Sequence, residues 1–131
     1  EAERIECRAV VPHENLAEEL ARAEINLAPL EPNNPFCDAK SPLKYYEAAL
    51  VGVPTIASAT PTWQAEIENG VQGLLAATPT EWLNALARLA GSPELRAELA
   101  CNARRAVEPR LREPELMQRF IADLAPLLDT L

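Results

Sequence analysis

At 131 residues, 48% of them apolar, the chain has the length for one compact core and the composition of an ordinary globular domain. Its 20 acidic and 12 basic side chains leave a formal charge of −8 and a pI near 4.7, which argues against a nucleic-acid or anionic-membrane surface. No apolar run approaches the ~20 residues needed to cross a bilayer and no signal-peptide pattern opens the sequence, so a soluble, cytoplasmic setting is expected.

In chain order, residues 5–10 (Ile-Glu-Cys-Arg-Ala-Val) read as a first strand. Asn15, with Glu18 three residues on, reads as the cap of a helix carrying Leu16, Leu20 and Ala23 inward. Residues 25–28 (Ile-Asn-Leu-Ala) make a short buried strand, and the Pro- and Asn-rich stretch 31–38 is a loop at its carboxyl end, where open parallel sheets bind ligands.

That loop leads into Lys40-Ser41-Pro42-Leu43-Lys44-Tyr45-Tyr46-Glu47, which opens a helix expected over about residues 42–51. Ser41 suits the N-cap, Pro42 the first helical position, and Gly52 the stop ahead of Pro54. Unpaired N–H groups and the positive end of the helix dipole, flanked by Lys40 and Lys44, suit a phosphate or diphosphate. The Ser41 hydroxyl either adds a donor to that site or is consumed in capping. Glu47 shares a face with Leu43 and Leu50, so it is expected among buried residues and in need of a partner. Lys44 one turn back is one such partner, and a pair of ligand hydroxyls is the other.

Residues 55–58 form the next strand, a short helical stretch runs to Glu68, and Asn69-Gly70 turns the chain into a strand over 71–76. This alternation calls for a parallel sheet with helices on both faces. Beyond Ala77 the sequence is almost wholly helical. Thr78-Pro79-Thr80-Glu81 is a capping box opening a helix that buries Trp82, Leu83, Leu86 and Leu89, with Trp82 read as core rather than as a sugar platform. Ser92-Pro93 starts another, with Leu95, Leu99, Ala103 and Val107 on one face and Arg96, Arg104 and Arg105 solvated. Pro109 and Pro114 bracket a connector to a last helix over 115–131, whose stripe of Leu116, Phe120, Leu124, Leu127 and Leu131 needs a partner surface and which Pro126 should kink. Cys7, Cys37 and Cys101 have no metal-ligand spacing and read as reduced thiols, Cys37 as a small filler; His13 is a loop histidine or a contact for a base.

Taken together, the run 33–58 (NNPFCDAKSPLKYYEAALVGVPTIAS), the turn and strand 65–76 (AEIENGVQGLLA) and the paired helices 81–107 resemble the retaining glycosyltransferases of family 4, the group 1 type with the GT-B fold. The resemblance spans roughly residues 5–108. It implies a Rossmann-like α/β domain over 1–108, incomplete at its N-terminus, and a helical extension over 109–131. It also implies binding of a nucleotide diphosphate-sugar: Lys40, Ser41, Leu43 and Lys44 at the diphosphate, Glu47 at the ribose hydroxyls, and Val11, Pro12, Leu30 and Glu31 flanking the base. No catalytic residue, cofactor or metal is implied on this half, and no nucleic-acid partner.

The sequence departs from the family pattern at two points. The first Glu of the Glu-x7-Glu motif, which contacts the donor sugar, is here Ala39, with Asp38 beside it; the glycine-rich turn after the next strand is Ala59-Thr60-Pro61-Thr62. The chain begins at Glu1, and the family's acceptor domain and first two strands of the donor domain have no counterpart in it. It is therefore expected to be a C-terminal portion inactive by itself, with strand 5–10 short of a neighbour and open to pairing with a second copy or to strand exchange. The alternative is a degenerate, non-catalytic α/β domain that binds a nucleotide or a protein partner.

Overall fold

The computed structural model describes residues 5–111. A single 3-10 turn, His13–Asn15, leads into α1 (Leu16–Ala21), followed by β1 (Asn26–Ala28), α2 (Pro35–Asp38), α3 (Leu43–Leu50), β2 (Thr55–Ser58), α4 (Pro61–Glu66), β3 (Leu74–Ala76), α5 (Pro79–Gly91) and α6 (Pro93–Leu111). The three strands form one parallel sheet in the order β1-β2-β3, with Leu27 opposite Ile56 and Ala57 opposite Leu75. This is the Rossmann-like α/β arrangement that the sequence predicts.

The two faces of the sheet carry two cores. Alternation along β2 sends Ala57 to one face beside Ala28 of β1, where Tyr45, Ala49, Trp63, Ala103 and Val107 close over it from α3, α4 and the second half of α6, with Ile67 just after α4. Ile56 points to the other face, against Leu74 of β3 and Ala85, Leu89 and Leu99 from α5 and the first half of α6. Helix α6 thus serves both cores. Its Leu99, Ala103 and Val107 are buried as its spacing predicts, and each large apolar side chain so enclosed contributes roughly 1.5–3 kcal/mol. Tyr45 is fully enclosed with its hydroxyl unpartnered, and burial pushes its phenol up to about 12.

Several local expectations are corrected. Residues 5–12 form no strand, and Ile5 and Val10 are exposed. Among the described residues the sheet consists of β1, β2 and β3, and residues 5–12 pair with none of them, so their strand character is not realised. Asn15 makes no side-chain cap, because the 3-10 turn before α1 already holds it in helical geometry, and Ala23 is exposed. The third strand is limited to Leu74–Ala76, since Gly70, at φ 83°, and the Asn69–Gly73 bridge occupy the residues before it. Leu83 lies on the outer side of α5 and is 67% exposed. Arg96 is half-buried and not solvated: its guanidinium donates to the Leu89 carbonyl at 2.6 Å, closing the C-terminus of α5. Helix α6 continues through Pro109, so no connector begins there; Pro114 and the predicted helix 115–131 lie outside the described residues.

Candidate functional site

The C-terminal ends of the three strands converge on one edge of the sheet, and α3 begins there. Its start differs from the predicted one. Pro42, not Ser41, occupies the N-cap, and the first internal bonds run from the Tyr45 and Tyr46 amides to the Pro42 carbonyl at 3.0 and 3.2 Å. Pro42 has φ −80° and ψ 25°, already close to helical, so no extended cap residue is left for a hydroxyl to serve. The consequence is chemical. Ser41 makes no hydrogen bond among the described residues, and the amides of Leu43 and Lys44 are open donors at the positive end of an eight-residue helix.

Helix α3 is held firmly. Its C-terminus closes in a Schellman motif, with Val53 N–H to Ala48 O at 2.9 Å, Gly52 N–H to Ala49 O at 3.2 Å, and Gly52 at φ 77°. Tyr46 donates to Glu66 at 2.7 Å, and Arg110 reaches the same carboxylate oxygen at 2.8 Å, so α3, α4 and α6 are tied at one point. At the sheet, Asn26 donates to the Lys44 carbonyl at 3.3 Å and to the Thr55 hydroxyl at 3.0 Å. Ser58 is hydrogen-bonded to both backbone groups of Leu30, at 2.7 and 2.9 Å, which fixes the chain as it leaves β1.

These restraints frame a cavity of about 260 Å³ between the end of β1 (Ala28, Pro29, Leu30), the segment Lys40, Ser41, Leu43 and Lys44, and the Trp63 ring from α4. All four residues assigned to a diphosphate therefore line one cavity, together with Leu30. Lys40 and Lys44 form no ion pair among the described residues. Lys40 lies 5.0 Å from the centre of the exposed Phe36 ring, which leaves its ammonium available. No group of three or more metal-ligating side chains occurs among the described residues.

The remaining predicted residues are not brought into it. Glu47 is half-buried, forms no hydrogen bond or ion pair among the described residues, and is not part of this lining. Its supposed apolar face is the outer one: Leu43 and Leu50 are exposed, and α3 buries Tyr45, Ala48 and Ala49 instead. Two alanines let α3 approach the sheet closely, which the spacing of the larger leucines concealed. Glu31 accepts a hydrogen bond from Asn34 at 2.8 Å in the loop. Val11 lines a separate depression beside Arg8, Glu19 and Leu20, and Pro12 is exposed in the unpaired segment. Cys37 is buried on α2, as expected of a filler. Trp63 was missed; it lies in the first turn after β2, a position that faces the ligand-binding edge of any parallel sheet.

The fold and this cavity define a Rossmann-like domain with an uncapped, lysine-flanked helix start at the carboxyl edge of its sheet. The family model of the glycosyl transferases group 1 matches residues 2–92, and the chain belongs to that family. Sucrose-phosphate synthase (tll1590) from Thermosynechococcus elongatus superimposes with a TM-score of 0.73 at 23% identity, over 98% of this chain and 31% of that one. The C-terminal domain of LpcC from Francisella tularensis, a group 1 glycosyl transferase, gives 0.58 at 18% identity, over 79% and 51%. The chain thus has the fold of a C-terminal GT-B half-domain and spans about a third to a half of these structures. No curated protein matches its sequence. No described helix is long and apolar enough to cross a membrane.

Proposed function

We propose that this chain is the donor-binding portion of a retaining glycosyltransferase that takes its sugar from a nucleotide diphosphate. The observation that carries the reading is the cavity at the start of α3, where two unpaired lysines, a free hydroxyl and two open amides converge on a net acidic protein. Such a constellation binds phosphate by dipole and charge together. In glycosyl transfer the diphosphate gains negative charge as the sugar leaves it. Fixed donors aimed at that charge lower the barrier without reorganising during the reaction. Lys40 and Lys44 supply the charge, the Leu43 and Lys44 amides direct hydrogen bonds, and Ser41 replaces the donor that Pro42 lacks. Glu47, one turn further along α3, is assigned to the ribose hydroxyls, and Leu30 and Glu31 to the neighbourhood of the base. The acceptor and the partner domain that holds it lie outside this chain, so the reading assigns it donor binding rather than turnover by itself.

The test is a calorimetric titration of UDP and GDP, repeated with Lys44→Ala and Glu47→Ala. Micromolar to low-millimolar binding that both substitutions weaken supports the assignment and identifies the base. A second reading, a non-catalytic binding domain, draws on the turn after β2. The Ala59 amide donates to Ala76 and the Thr60 amide to Ser58, and Pro61 has none, so this turn offers a ligand few of the donors a glycine-rich one would. Sugar release by the intact protein would rule that reading out.

A further inference from the structure

The turn between α4 and β3 carries a reactive pair of residues. Asn69 is the one asparagine in the sequence followed by a glycine; the others precede Leu, Asn, Pro or Ala. The distinction is steric. A succinimide forms when the amide nitrogen of the next residue attacks the asparagine Cγ, and glycine presents that nitrogen with no side chain in the way. Asn69 and Gly70 are both exposed, and Gly70, at φ 83°, has open space where a Cβ would stand. Both reacting groups are nevertheless committed. The Gly70 amide donates to the Gly73 carbonyl at 2.8 Å, and the Asn69 side-chain oxygen accepts from the Leu75 amide at 3.0 Å. The rest of the turn is anchored around them. The Val71 and Gln72 amides each donate to the Glu68 carbonyl at 3.0 Å, the Gln72 side chain accepts from the Glu68 amide at 3.2 Å, and Asn102 of α6 donates from its side chain to the Val71 carbonyl at 3.1 Å. Gly73 packs so closely that a Cβ there would lie 3.0 Å from the Thr55 carbonyl oxygen and 3.1 Å from Ile67.

We propose that Asn69 is a latent deamidation site, held shut by the folded turn and opened to reaction when α6 releases it. Solvent hydroxide takes the Gly70 amide proton, and the nitrogen attacks Asn69 Cγ. The Cγ–Nδ2 bond breaks, ammonia leaves with a proton from water, and water opens the five-membered succinimide at either carbonyl, to aspartate or to isoaspartate. Attack requires the Gly70 N–H to leave Gly73 and the Asn69 carboxamide to leave Leu75. The rate therefore follows the population of the opened turn and not the exposure of Asn69. The two products differ in consequence. Aspartate keeps an oxygen that can accept from Leu75, whereas isoaspartate adds a carbon to the backbone just ahead of the close-packed Gly73. That extra atom shifts the chain entering β3, which pairs with β2 from Leu74 onward and carries Leu74 and Ala76 into one of the two cores.

The test is to incubate the full chain in mildly alkaline buffer, native and unfolded in guanidinium chloride, and to follow each asparagine by peptide mass spectrometry. Water enriched in heavy oxygen marks the hydrolysed succinimide, and an isoaspartyl-specific methyltransferase counts the isoaspartate. In the unfolded chain Asn69 should convert ahead of every other asparagine, and in the native chain it should convert at least about tenfold more slowly. Asn102→Ala, which removes the bond from α6, should raise the native rate several-fold and leave the unfolded rate unchanged. Gln72→Ala, which removes the bond to the Glu68 amide, is a second variant that should act in the same direction. Equal rates in the native and unfolded chains, faster conversion of any other asparagine in the unfolded chain, or a native rate that neither variant moves would overturn the inference.

Discussion

Helices α3 and α5 both begin at the carboxyl edge of the same sheet, each beside a proline, and their first turns are finished in opposite ways. At α5 the Thr78 hydroxyl accepts from the Glu81 amide at 3.3 Å while the Glu81 carboxylate accepts from the amides of Thr78 and Ala77, at 3.1 and 2.6 Å. Those bonds hold the Glu81 carboxyl below its ordinary pKa. At α3 no side chain caps the turn, two amides stay open, and the nearest charges are Lys40 and Lys44. One helix start uses its donors for stability and the other leaves them open. The difference teaches that two helix starts of similar sequence, each beside a proline, can present opposite surfaces, one with its donors satisfied and one with them open beside two lysines.

Four experiments would break or sharpen that contrast. The largest effect is expected from Lys40→Ala combined with Lys44→Ala, which should weaken UDP or GDP by about a hundredfold while moving stability by no more than about 0.5 kcal/mol, measured by calorimetry and urea unfolding. A large loss of stability would mean that the lysines hold the fold rather than a ligand. Next, Thr78→Ala should destabilise the chain by about 1 kcal/mol without changing nucleotide affinity. Ser41→Ala should do the converse: because Ser41 caps nothing, urea unfolding should shift by under about 0.5 kcal/mol while nucleotide binding weakens several-fold. The smallest effect concerns pH. A carboxyl whose pKa is lowered by folding contributes stability above its unfolded pKa and loses it as pH falls through the folded one, so Glu81→Gln should flatten the acid limb of the stability profile. An unchanged acid limb would show that the box at α5 does not persist in solution.

Much of this was legible in the sequence because it rests on local chemistry. The Thr78 to Glu81 box needs residues three apart and nothing else, and it forms as read. The stop at Gly52 required a residue that tolerates positive φ, and Gly52 provides it. Strand 55–58 (Thr-Ile-Ala-Ser) was read to the residue, because the Gly52 stop and Pro54 precede it and Thr60-Pro61 follows it, and the structure buries all four residues. The inward face of α3 was not legible, because Tyr45, Ala48 and Ala49 were chosen by how near the sheet lies, whereas spacing favoured the larger Leu43 and Leu50. Nor was the state of residues 5–12, because strand character is only realised when a partner strand completes the ladder.

By itself, then, the sequence determined the order of the strands β1 to β3 and of the helices α1 and α3 to α6, the parallel sheet, the family and the residues that meet at the start of α3, since these follow from periodicity, caps and motifs close together along the chain, whereas it offered a strand over 5–10 and a loop where α2 forms. Only the tertiary structure decided that Ser41 is free instead of capping, that Trp63 closes the cavity at the start of α3, that Glu47 lies outside its lining, and that Asp38 and Trp82, 44 residues apart, line one space with Leu30. The physical reason is one and the same. Capping and burial depend on the angle at which a segment meets its neighbours, and packing across the sheet sets that angle.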